Sequence, residues 1–376
     1  MKKMSRFMNA TGIDQKYLRL ALKFAEKGRG RVSPNPTVGA CIVKNNRLIS
    51  SGYHEYFGGP HAEMNAMQKA GSAACGATLY VTLEPCSTYG KTPPCVDAIC
   101  KARFKRVVIG TKDPNPIHTG RSVRILSQNR IATKVNVLKS EAEAQIEAYA
   151  KWIQTKRPFV TLKMAQSLDG KIASRTGESR WISGEPARAW VHKLRRSSDA
   201  VLVGKNTITK DNSRLTVHVS AKKKIKNPWR IVLDAQGSVS PAARVFRLGG
   251  PTILACSQNS FQKVTQKFKN TAVTILPLPL KHKMLDLRVL LKQLGEMGIS
   301  SLLVEGGGEV AASFLNEKLV DKVVWIVAPL LIGGRSAKTS VEGEGVKILA
   351  KAPRVLIERF RRLGNDFLFE GRLAGA

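Results

Sequence analysis

His61-Ala62-Glu63 is followed in this chain by Pro85-Cys86 and then by Pro94-Cys95, and this arrangement decides the fold of the first part of the sequence. One histidine and two cysteines are common ligands of Zn²⁺, and three protein ligands leave the fourth tetrahedral position open for water. A structural zinc site would normally have a fourth protein ligand, and the other nearby cysteines lie outside the motif. The pattern therefore predicts a catalytic zinc site with His61, Cys86 and Cys95 as its ligands.

Glu63 stands two residues after the predicted ligand His61, as the proton-shuttling glutamate of zinc deaminases does. Zinc lowers the pKa of a bound water to ~7, so hydroxide becomes available to attack an amidine-like carbon. A neighbouring carboxylate can take a proton and deliver it to the departing amine. We therefore expect hydrolytic deamination, with Glu63 as the catalytic acid and base.

The interval between the two cysteines is long. In the commonest nucleic-acid and nucleoside deaminases the cysteines are about two to four residues apart, whereas Cys86 and Cys95 enclose residues 87–94. Lys91 lies inside this interval and offers a point charge to a phosphate, although a lone lysine can also be a solvated surface residue. The interval favours a small phosphorylated substrate over nucleic acid.

Length and composition indicate a two-domain globular protein. The chain has 376 residues, of which 43% are hydrophobic, and single cores rarely grow past about 250–300 residues. No apolar run approaches the ~20 residues needed to span a bilayer, and the basic N-terminus lacks the apolar segment of a secretory signal. Six cysteines, two of them assigned to metal, favour a reducing compartment. We expect the cytoplasm of a bacterium, with a plastid as the alternative.

The net charge of +35 leaves a second class of function open. A basic excess can neutralise the phosphates of nucleic acid. Here the excess is spread over both halves, with local runs such as 195–196 and 222–224, and it lacks the interleaved aromatics of a single-strand platform. We expect no membrane partner and no specific nucleic acid. The alternative, a basic nucleic-acid-binding protein with a structural zinc site, predicts salt-dependent binding of RNA or DNA.

Hydrophobic periodicity predicts an α/β protein. The first part is predicted to contain helices at 15–26 and 141–152, helices beginning at His61 and Cys95, and strands at 38–43, 48–52, 78–83 and 106–110. This order is typical of an α/β/α sandwich and places one domain at 12–150. A linker at 155–158 precedes a second α/β domain at 158–376. Its predicted elements are strands at 159–165, 200–204, 230–233, 252–256, 301–305 and 322–328 and helices at 186–195, 285–297 and 309–317.

Several stretches of the chain resemble the RibD family, the bifunctional deaminase–reductases of riboflavin biosynthesis. The stretches similar to the deaminase half are SPNPTVGA (33–40), HAEMNA (61–66), TLEPCSTYGKTPPC (82–95) and KDPNP (112–116). Those similar to the reductase half are TLKMAQSLDGKIA (161–173), GESRWIS (177–183) and LLVEGGGEVAASFL (302–315). The resemblance covers nearly the whole chain, from about residue 14 to the C-terminus.

The resemblance implies a cytidine-deaminase-like α/β/α sandwich followed by a dihydrofolate-reductase-like α/β domain, with one Zn²⁺ per deaminase domain and NADPH as the reductant. It implies zinc-dependent deamination of 2,5-diamino-6-ribosylamino-4(3H)-pyrimidinone 5′-phosphate. Reduction of the ribosyl group would then give 5-amino-6-ribitylaminouracil 5′-phosphate. It also implies a homo-oligomer, either a dimer or a tetramer.

Four residues of the deaminase half match family positions that contact the pyrimidine and its ribose phosphate, namely Asn35, His54, Lys91 and Asp113. An asparagine can offer a donor and an acceptor to the edge of a base. For His54 and Asp113 a purely local hydrogen-bonding role is an equal alternative.

In the reductase half the resemblance implies one set of cofactor contacts and one set of substrate contacts. The NADPH contacts would be Ala165, Trp181, Thr207, Asp211, Gly307, Gly308, Glu309, Val310, Ala311, Ala312 and Ser313. The substrate contacts would be Lys163, Ser179, Arg195, Leu215, His218 and Glu305. A glycine run between a strand and a helix can expose N–H groups to a phosphate, although its spacing is not G-x-G-x-x-G. Trp181 and Leu215 can equally be core residues, and Arg195 a surface residue.

Two residues depart from the family pattern. Ser213 stands where the family often has a proline that stiffens the loop. His218 stands where it has an arginine that can hold a phosphate with two hydrogen bonds. These departures leave open a deaminase whose reductase domain is weak or inactive.

Overall fold

The computed structural model of the chain describes residues 10–90, 93–217, 227–247 and 250–374. The chain divides into two compact units, Met1–Lys156 and Arg157–Ala376. Within the described residues, every helix is too short or too polar to traverse a bilayer.

The first unit is built on one five-stranded sheet. Its strands are β1 (Gly39–Lys44), β2 (Arg47–Tyr53), β3 (Thr78–Leu83), β4 (Arg106–Thr111) and β5 (Ala132–Lys134). Its helices are α1 (Ala10–Ala25), α2 (Ala62–Ala70), α3 (Cys95–Lys101), α4 (Arg121–Gln128), α5 (Lys139–Gln145) and α6 (Glu147–Thr155). The strand order is β2-β1-β3-β4-β5, with β1 antiparallel to both neighbours and β3, β4 and β5 parallel.

Helices cover both faces of this sheet, because successive strand residues point to opposite sides. Ile42 packs in the core formed with α2, α3 and α4, whereas its neighbours Cys41 and Val43 pack in the core formed with α1. The unit is therefore an α/β/α sandwich, as the sequence predicts. It places the ends of β2 and β3 and the starts of α2 and α3 in the site region.

The helix predicted at 141–152 is wrong as a continuous element. The structure has two helices, α5 and α6, which meet at Ile146, a residue with non-helical backbone angles (φ −110°, ψ 12°). The short elements α4 and β5 have no sequence counterpart in the prediction.

The second unit is built on a nine-stranded sheet and a small hairpin. Its strands are β6 (Phe159–Ser167), β7 (Ala200–Gly204), β8 (Trp229–Leu233), β9 (Thr252–Ser257), β10 (Val273–Leu278), β11 (Leu280–Lys281), β12 (Met284–Leu285), β13 (Ser301–Val304), β14 (Lys322–Ala328), β15 (Val355–Leu363) and β16 (Asp366–Leu373). Its helices are α7 (Glu185–Ser197), α8 (Lys205–Asp211), α9 (Arg244–Arg247), α10 (Phe261–Lys267), α11 (Leu287–Glu296) and α12 (Gly308–Asn316).

The order of the large sheet is β10-β9-β8-β7-β13-β6-β14-β16-β15. The strands from β10 to β14 are parallel, and β16 and β15 extend the sheet antiparallel. One core lies between the sheet and α11 and α12. The opposite face carries a core with α8, α9 and α10 and a smaller one with α7. This α/β unit brings the ends of β6, β7 and β13 to one edge of the sheet.

A buried carboxylate ties α1 to the sheet of the first unit. Asp14 has no exposed surface. It accepts two hydrogen bonds from Arg106 at 2.9 and 2.8 Å, one from Lys134 at 3.0 Å and one from the Tyr80 hydroxyl at 3.2 Å. Burial opposes its charge, but Arg106 and Lys134 outweigh burial and lower the pKa of Asp14.

We predict that Asp14→Asn lowers the free energy of unfolding of this unit by about 3 kcal/mol, because it leaves a partly buried arginine without its countercharge. Since the pKa of Asp14 is lower in the folded state, its contribution is present above the unfolded pKa of ~3.9 and is lost as the pH falls below it. Hydrogen exchange of the β1, β3 and β4 amides measures the change.

Lys134→Gln is the matched control. The Lys134 side chain is more than a third exposed, so its removal costs less than about 1 kcal/mol. Equal losses in the two variants would contradict a structural role for the buried charge.

Candidate active sites

Three elements bring the three predicted zinc ligands together. His61 precedes α2 as its N-cap, Cys86 follows β3, and Cys95 is the first residue of α3. Their ligand atoms lie within 4.8 Å of one another. His61 Nδ1 is 3.5 Å from Cys86 Sγ and 3.3 Å from Cys95 Sγ. Ligands about 2.0–2.3 Å from a tetrahedral zinc are about 3.5 Å apart, so this donor set fits one Zn²⁺.

The surroundings of Cys86 favour its thiolate, whereas hydrogen bonding with Cys86 and burial raise the pKa of the Cys95 thiol. The Cys95 backbone N–H donates to Cys86 Sγ at 3.3 Å. Hydrogen bonding from Cys95 and from His61 lowers the pKa of Cys86 against the effect of burial. A thiolate is the form of cysteine that binds metal.

Glu63 lies in the first turn of α2, almost fully buried beside the ligand cluster. Burial raises the pKa of Glu63 to about 7. Its carboxylate also interacts with the Cys95 thiol. A carboxyl group that titrates near neutral pH can both accept and return a proton.

Asn35 and His54 form a hydrogen-bonded pair next to the zinc ligands. Asn35 Nδ2 is 3.2 Å from His54 Nε2, and His54 Nδ1 is 3.0 Å from the Pro60 carbonyl oxygen. The His54 ring stands edge-on to that of His61, with 5.3 Å between centroids. Burial lowers the pKa of His54, so the ring is neutral at physiological pH.

Asp113 lies in the loop after β4. Glu84 holds this loop in place, and the sequence did not predict this role. Glu84 accepts hydrogen bonds from the backbone N–H groups of Asp113 (3.3 Å), Gly120 (2.9 Å) and Ser122 (3.2 Å), and from the Ser122 hydroxyl (2.9 Å). Because Glu84 is two residues before Cys86, it ties the Asp113 loop to the zinc loop. Its one signal in the sequence is an acidic residue directly after a buried strand.

The side chain of Asp113 is buried and accepts two further hydrogen bonds. Its Oδ1 accepts from the backbone N–H of Asn115 at 2.9 Å and from the Tyr149 hydroxyl at 3.1 Å. Burial raises the pKa of Asp113. Lys91, the other predicted contact of this half, lies outside the described residues.

In the second unit, three predicted substrate residues converge at the end of β13. Glu305 follows β13, and the register of β13 on β6 places it beside Lys163. Arg195 on α7 donates from Nη2 to Glu305 Oε2 at 2.9 Å, and Lys163 Nζ is 3.7 Å from the same oxygen. Burial opposes the charge of Glu305, but Arg195 and Lys163 outweigh burial and lower the pKa of Glu305 to about 2. Burial lowers the pKa of Lys163.

A cleft of about 980 Å³ lies beside α12 and the β11–β12 hairpin. Eight of the residues predicted to bind cofactor or substrate line it: Ser179, Thr207, Asp211, Gly307, Gly308, Glu309, Val310 and Ser313. Ser179 donates to Asp211 at 2.8 Å. A Cβ built on Gly307 meets no atom within 4 Å, so the backbone before α12 is open to a ligand.

The other predicted residues of this half lie elsewhere. Ala311 and Ala312 are buried on the inner side of α12, and Leu215 is buried in the core with α8, α9 and α10. Ala165 packs against the core with α7. Trp181 is 68% exposed, with the Arg188 guanidinium 4.4 Å from its ring centroid. His218 lies outside the described residues.

Comparison with known proteins matches both units. The family model of the cytidine and deoxycytidylate deaminase zinc-binding region matches residues 11–111, and that of the RibD C-terminal domain matches residues 158–369.

Curated relatives and solved structures match over nearly the whole chain. The riboflavin biosynthesis protein RibD of Aquifex aeolicus is 41% identical over 95% of this chain and 97% of its own length. That of Actinobacillus pleuropneumoniae is 40% identical over 97% of this chain and 96% of its own. The structure of a diaminohydroxyphosphoribosylaminopyrimidine deaminase/5-amino-6-(5-phosphoribosylamino)uracil reductase from Thermotoga maritima is 36% identical, with a TM-score of 0.87 over 97% of this chain and all of that one.

The likeness therefore extends over both units, and it includes the zinc-binding region and the domain that carries Glu305. The chain belongs to the riboflavin biosynthesis protein RibD family of bifunctional deaminase–reductases.

Proposed function

We propose that the chain carries out two consecutive steps of riboflavin biosynthesis. The first domain, at 12–150, hydrolyses 2,5-diamino-6-ribosylamino-4(3H)-pyrimidinone 5′-phosphate with release of ammonia. The second, at 158–376, uses NADPH to reduce the ribosyl group of the product to 5-amino-6-ribitylaminouracil 5′-phosphate. The observation that carries the proposal is the His61–Cys86–Cys95 cluster with Glu63 buried beside it. The deaminase and reductase activities named for the Thermotoga maritima enzyme support this substrate.

In the deaminase, His61, Cys86 and Cys95 would hold one Zn²⁺, which supplies Lewis-acid activation of a water molecule. Glu63 takes the proton of the attacking water and returns it to the amino group that leaves as ammonia. Asn35 binds an edge of the pyrimidine, and Lys91 and Asp113 bind the ribose phosphate side. Glu84 keeps Asp113 in place relative to the zinc ligands.

We predict that Glu63→Gln lowers ammonia release by about 10²–10⁴-fold, because the amide cannot accept and return the proton. Zinc content, measured by mass spectrometry of the metal, stays at the wild-type level because Glu63 is not a ligand. The exposed Glu141→Gln in α5 is the control and keeps full activity. Full ammonia release by the Glu63 variant would refute the catalytic assignment.

In the reductase, the open backbone at Gly307 and the start of α12 would receive a phosphate of NADPH, which supplies the hydride when bound. Thr207, Asp211 and Ser313 line the same cleft. Lys163, Arg195 and Glu305 would hold the ribosylamino substrate, since together they offer charged donors and an ionised acceptor in a largely buried position. Ser179 donates to Asp211 within the same cleft.

We predict that Gly307→Val raises the KM for NADPH at least about tenfold, or about 1.4 kcal/mol, because its side chain enters space that is open in the cleft. Gly307→Ala, with a single methyl group, has a smaller effect. NADPH oxidation with the deaminated intermediate measures both, and ammonia release is the internal control. An unchanged KM in the Val variant would contradict this position for the cofactor, and a wild-type chain that deaminates without oxidising NADPH would refute the reductase step.

We also infer that the chain forms a homo-oligomer through β15. This strand is the edge of the nine-stranded sheet and exposes large apolar side chains, with Leu356 63% and Phe360 56% exposed. Two of its arginines contact Glu370 on β16, which reduces repulsion between facing copies. An exposed apolar edge strand is a template for pairing with another strand, and a second copy of β15 would satisfy it.

We predict that Leu356→Lys shifts the chain toward the monomer in light scattering coupled to gel filtration, since it removes apolar contact and adds a charge to the edge. Leu331→Lys is the control, because Leu331 is even more exposed than Leu356, at 75%, but lies outside the large sheet. A wild-type monomer, or an oligomer that both variants leave intact, would contradict the β15 interface.

The cysteines support a reducing compartment, and we propose the bacterial cytosol. All six are free in the structure, and two of them are needed as thiolates for zinc. The relatives compared above come from bacteria.

A further inference from the structure

We propose that His54 is a positioning residue that holds the Asn35 amide in one orientation, and that this orientation lets the deaminase distinguish its substrate from its product. The inference rests on the proposed deamination of a pyrimidine. The family resemblance implies that His54 contacts the substrate directly. The proposal instead gives His54 the role of positioning Asn35.

Hydrogen bonding determines which nitrogen of His54 carries a proton. His54 Nδ1 is 3.0 Å from the Pro60 carbonyl oxygen, which can only accept, so Nδ1 is the protonated nitrogen. Asn35 Nδ2, an amide nitrogen, can only donate, so His54 Nε2 at 3.2 Å is the acceptor. Both ring nitrogens are therefore occupied, and none remains for a substrate.

The protein holds the His54 ring in this position. The backbone N–H of His54 donates to Val38 at 3.0 Å. His54 exposes only 2% of its surface. Its ring packs edge-on against that of the predicted zinc ligand His61. Asn65 donates to the Pro60 carbonyl at 3.4 Å and to the Tyr53 carbonyl at 2.9 Å, which keeps the acceptor of His54 in place.

A fixed His54 gives Asn35 a fixed orientation. With Nδ2 bonded to His54, the Asn35 Oδ1 makes no hydrogen bond to another described residue and is available as an acceptor. The second N–H of the amide is available as a donor. A flipped amide would bring Oδ1 against Nε2, two acceptors facing each other, and would lose the hydrogen bond.

Deamination inverts the hydrogen-bonding edge that such an amide meets. Before the reaction the amidine offers an amino donor and a ring-nitrogen acceptor. Water then adds its oxygen to the carbon, the amino group leaves as ammonia, and the ring nitrogen ends with a proton. The product therefore offers a carbonyl acceptor and an N–H donor in the same places. If the Asn35 amide cannot flip, it can pair with only one of these two edges. We infer that this is the amidine edge of the substrate.

This arrangement has a functional consequence for turnover. A freely rotating asparagine would bind substrate and product about equally well, so that product would compete with substrate for the site as it accumulates. An amide held by His54 meets the product with acceptor against acceptor and donor against donor. The product is thereby released more readily from the deaminase site.

The test compares His54→Phe with His54→Gln in the full-length chain. Phenylalanine keeps a ring next to His61 but has no acceptor for Asn35, whereas glutamine retains one. The measured quantities are the KM of the diaminopyrimidine phosphate, the inhibition constant Ki of the deaminated product without NADPH, and the zinc content. We expect Ki/KM to fall about tenfold in the Phe variant, a change of about 1.4 kcal/mol in discrimination. The Gln variant should stay closer to wild type, and zinc should be retained in both.

A merely structural role for His54 predicts a different result. Equal changes in KM and Ki, or no change in either, would overturn the proposal, because discrimination would then not depend on His54. If the Phe variant loses zinc, Asn35→Ala decides: its Ki/KM must fall by a similar factor, and an unchanged ratio also overturns the proposal. A wild-type chain that releases no ammonia would instead refute the proposed function on which this inference rests.

Discussion

The deaminase unit depends on one geometric constraint, the convergence of three metal-binding side chains from three separate elements. Their donor atoms must lie within a few ångströms of a common point, and in the structure they lie within 4.8 Å of one another. Pairing of β1 with β2 and β3 sets the sheet on which α2 and α3 pack. The starts of these two helices then deliver His61 and Cys95 to the end of β3, where Cys86 lies. Glu63, in the first turn of α2, is buried as a consequence of the same packing.

In the reductase unit, the buried carboxylate of Glu305 organises the site, as the metal-ligand cluster does in the deaminase unit. Glu305 lies between the end of β13 and the glycine run that begins α12. Burial alone would favour its neutral form, so its low pKa reflects the cations delivered by β6 and α7. Removing Glu305 would leave two cations without their countercharge in a largely buried place, which is strongly destabilising in proteins. The cluster therefore links the register of β13 on β6 to the chemistry of the site.

Sequence reasoning worked where local pattern and tertiary environment agree. The bounds predicted for β3, β7 and β14 and the start of α3 at Cys95 are confirmed, because buried parallel strands are continuous apolar runs. It failed where tertiary contacts decide. Ile146 interrupts a periodic stretch, and the β15–β16 hairpin has an exposed strand whose apolar and charged residues follow no buried pattern. The role of Glu84 could not be predicted, because the four hydrogen bonds that it accepts come from a loop that is distant in sequence.

The candidate sites show the same division. Ligand identity and order were readable for His61, Cys86 and Cys95, because metal chemistry restricts residue types. The role of His54 could not be predicted from the sequence, because it depends on which of its atoms face Asn35 and Pro60. Likewise, the family resemblance predicts ligand contacts for Ala311 and Leu215, but only packing reveals that their side chains are buried.

We expect one chain to perform both steps in order, and mass spectrometry of the reaction mixture measures this. The purified zinc-loaded chain is incubated with the diaminopyrimidine phosphate, with and without NADPH. Without NADPH, we expect ammonia and the deaminated ribosylamino intermediate. When NADPH is present, we expect the ribitylamino product with an equal amount of oxidised cofactor. Absence of ammonia under both conditions, or reduction of the ribosyl group without prior loss of the amino group, would contradict it.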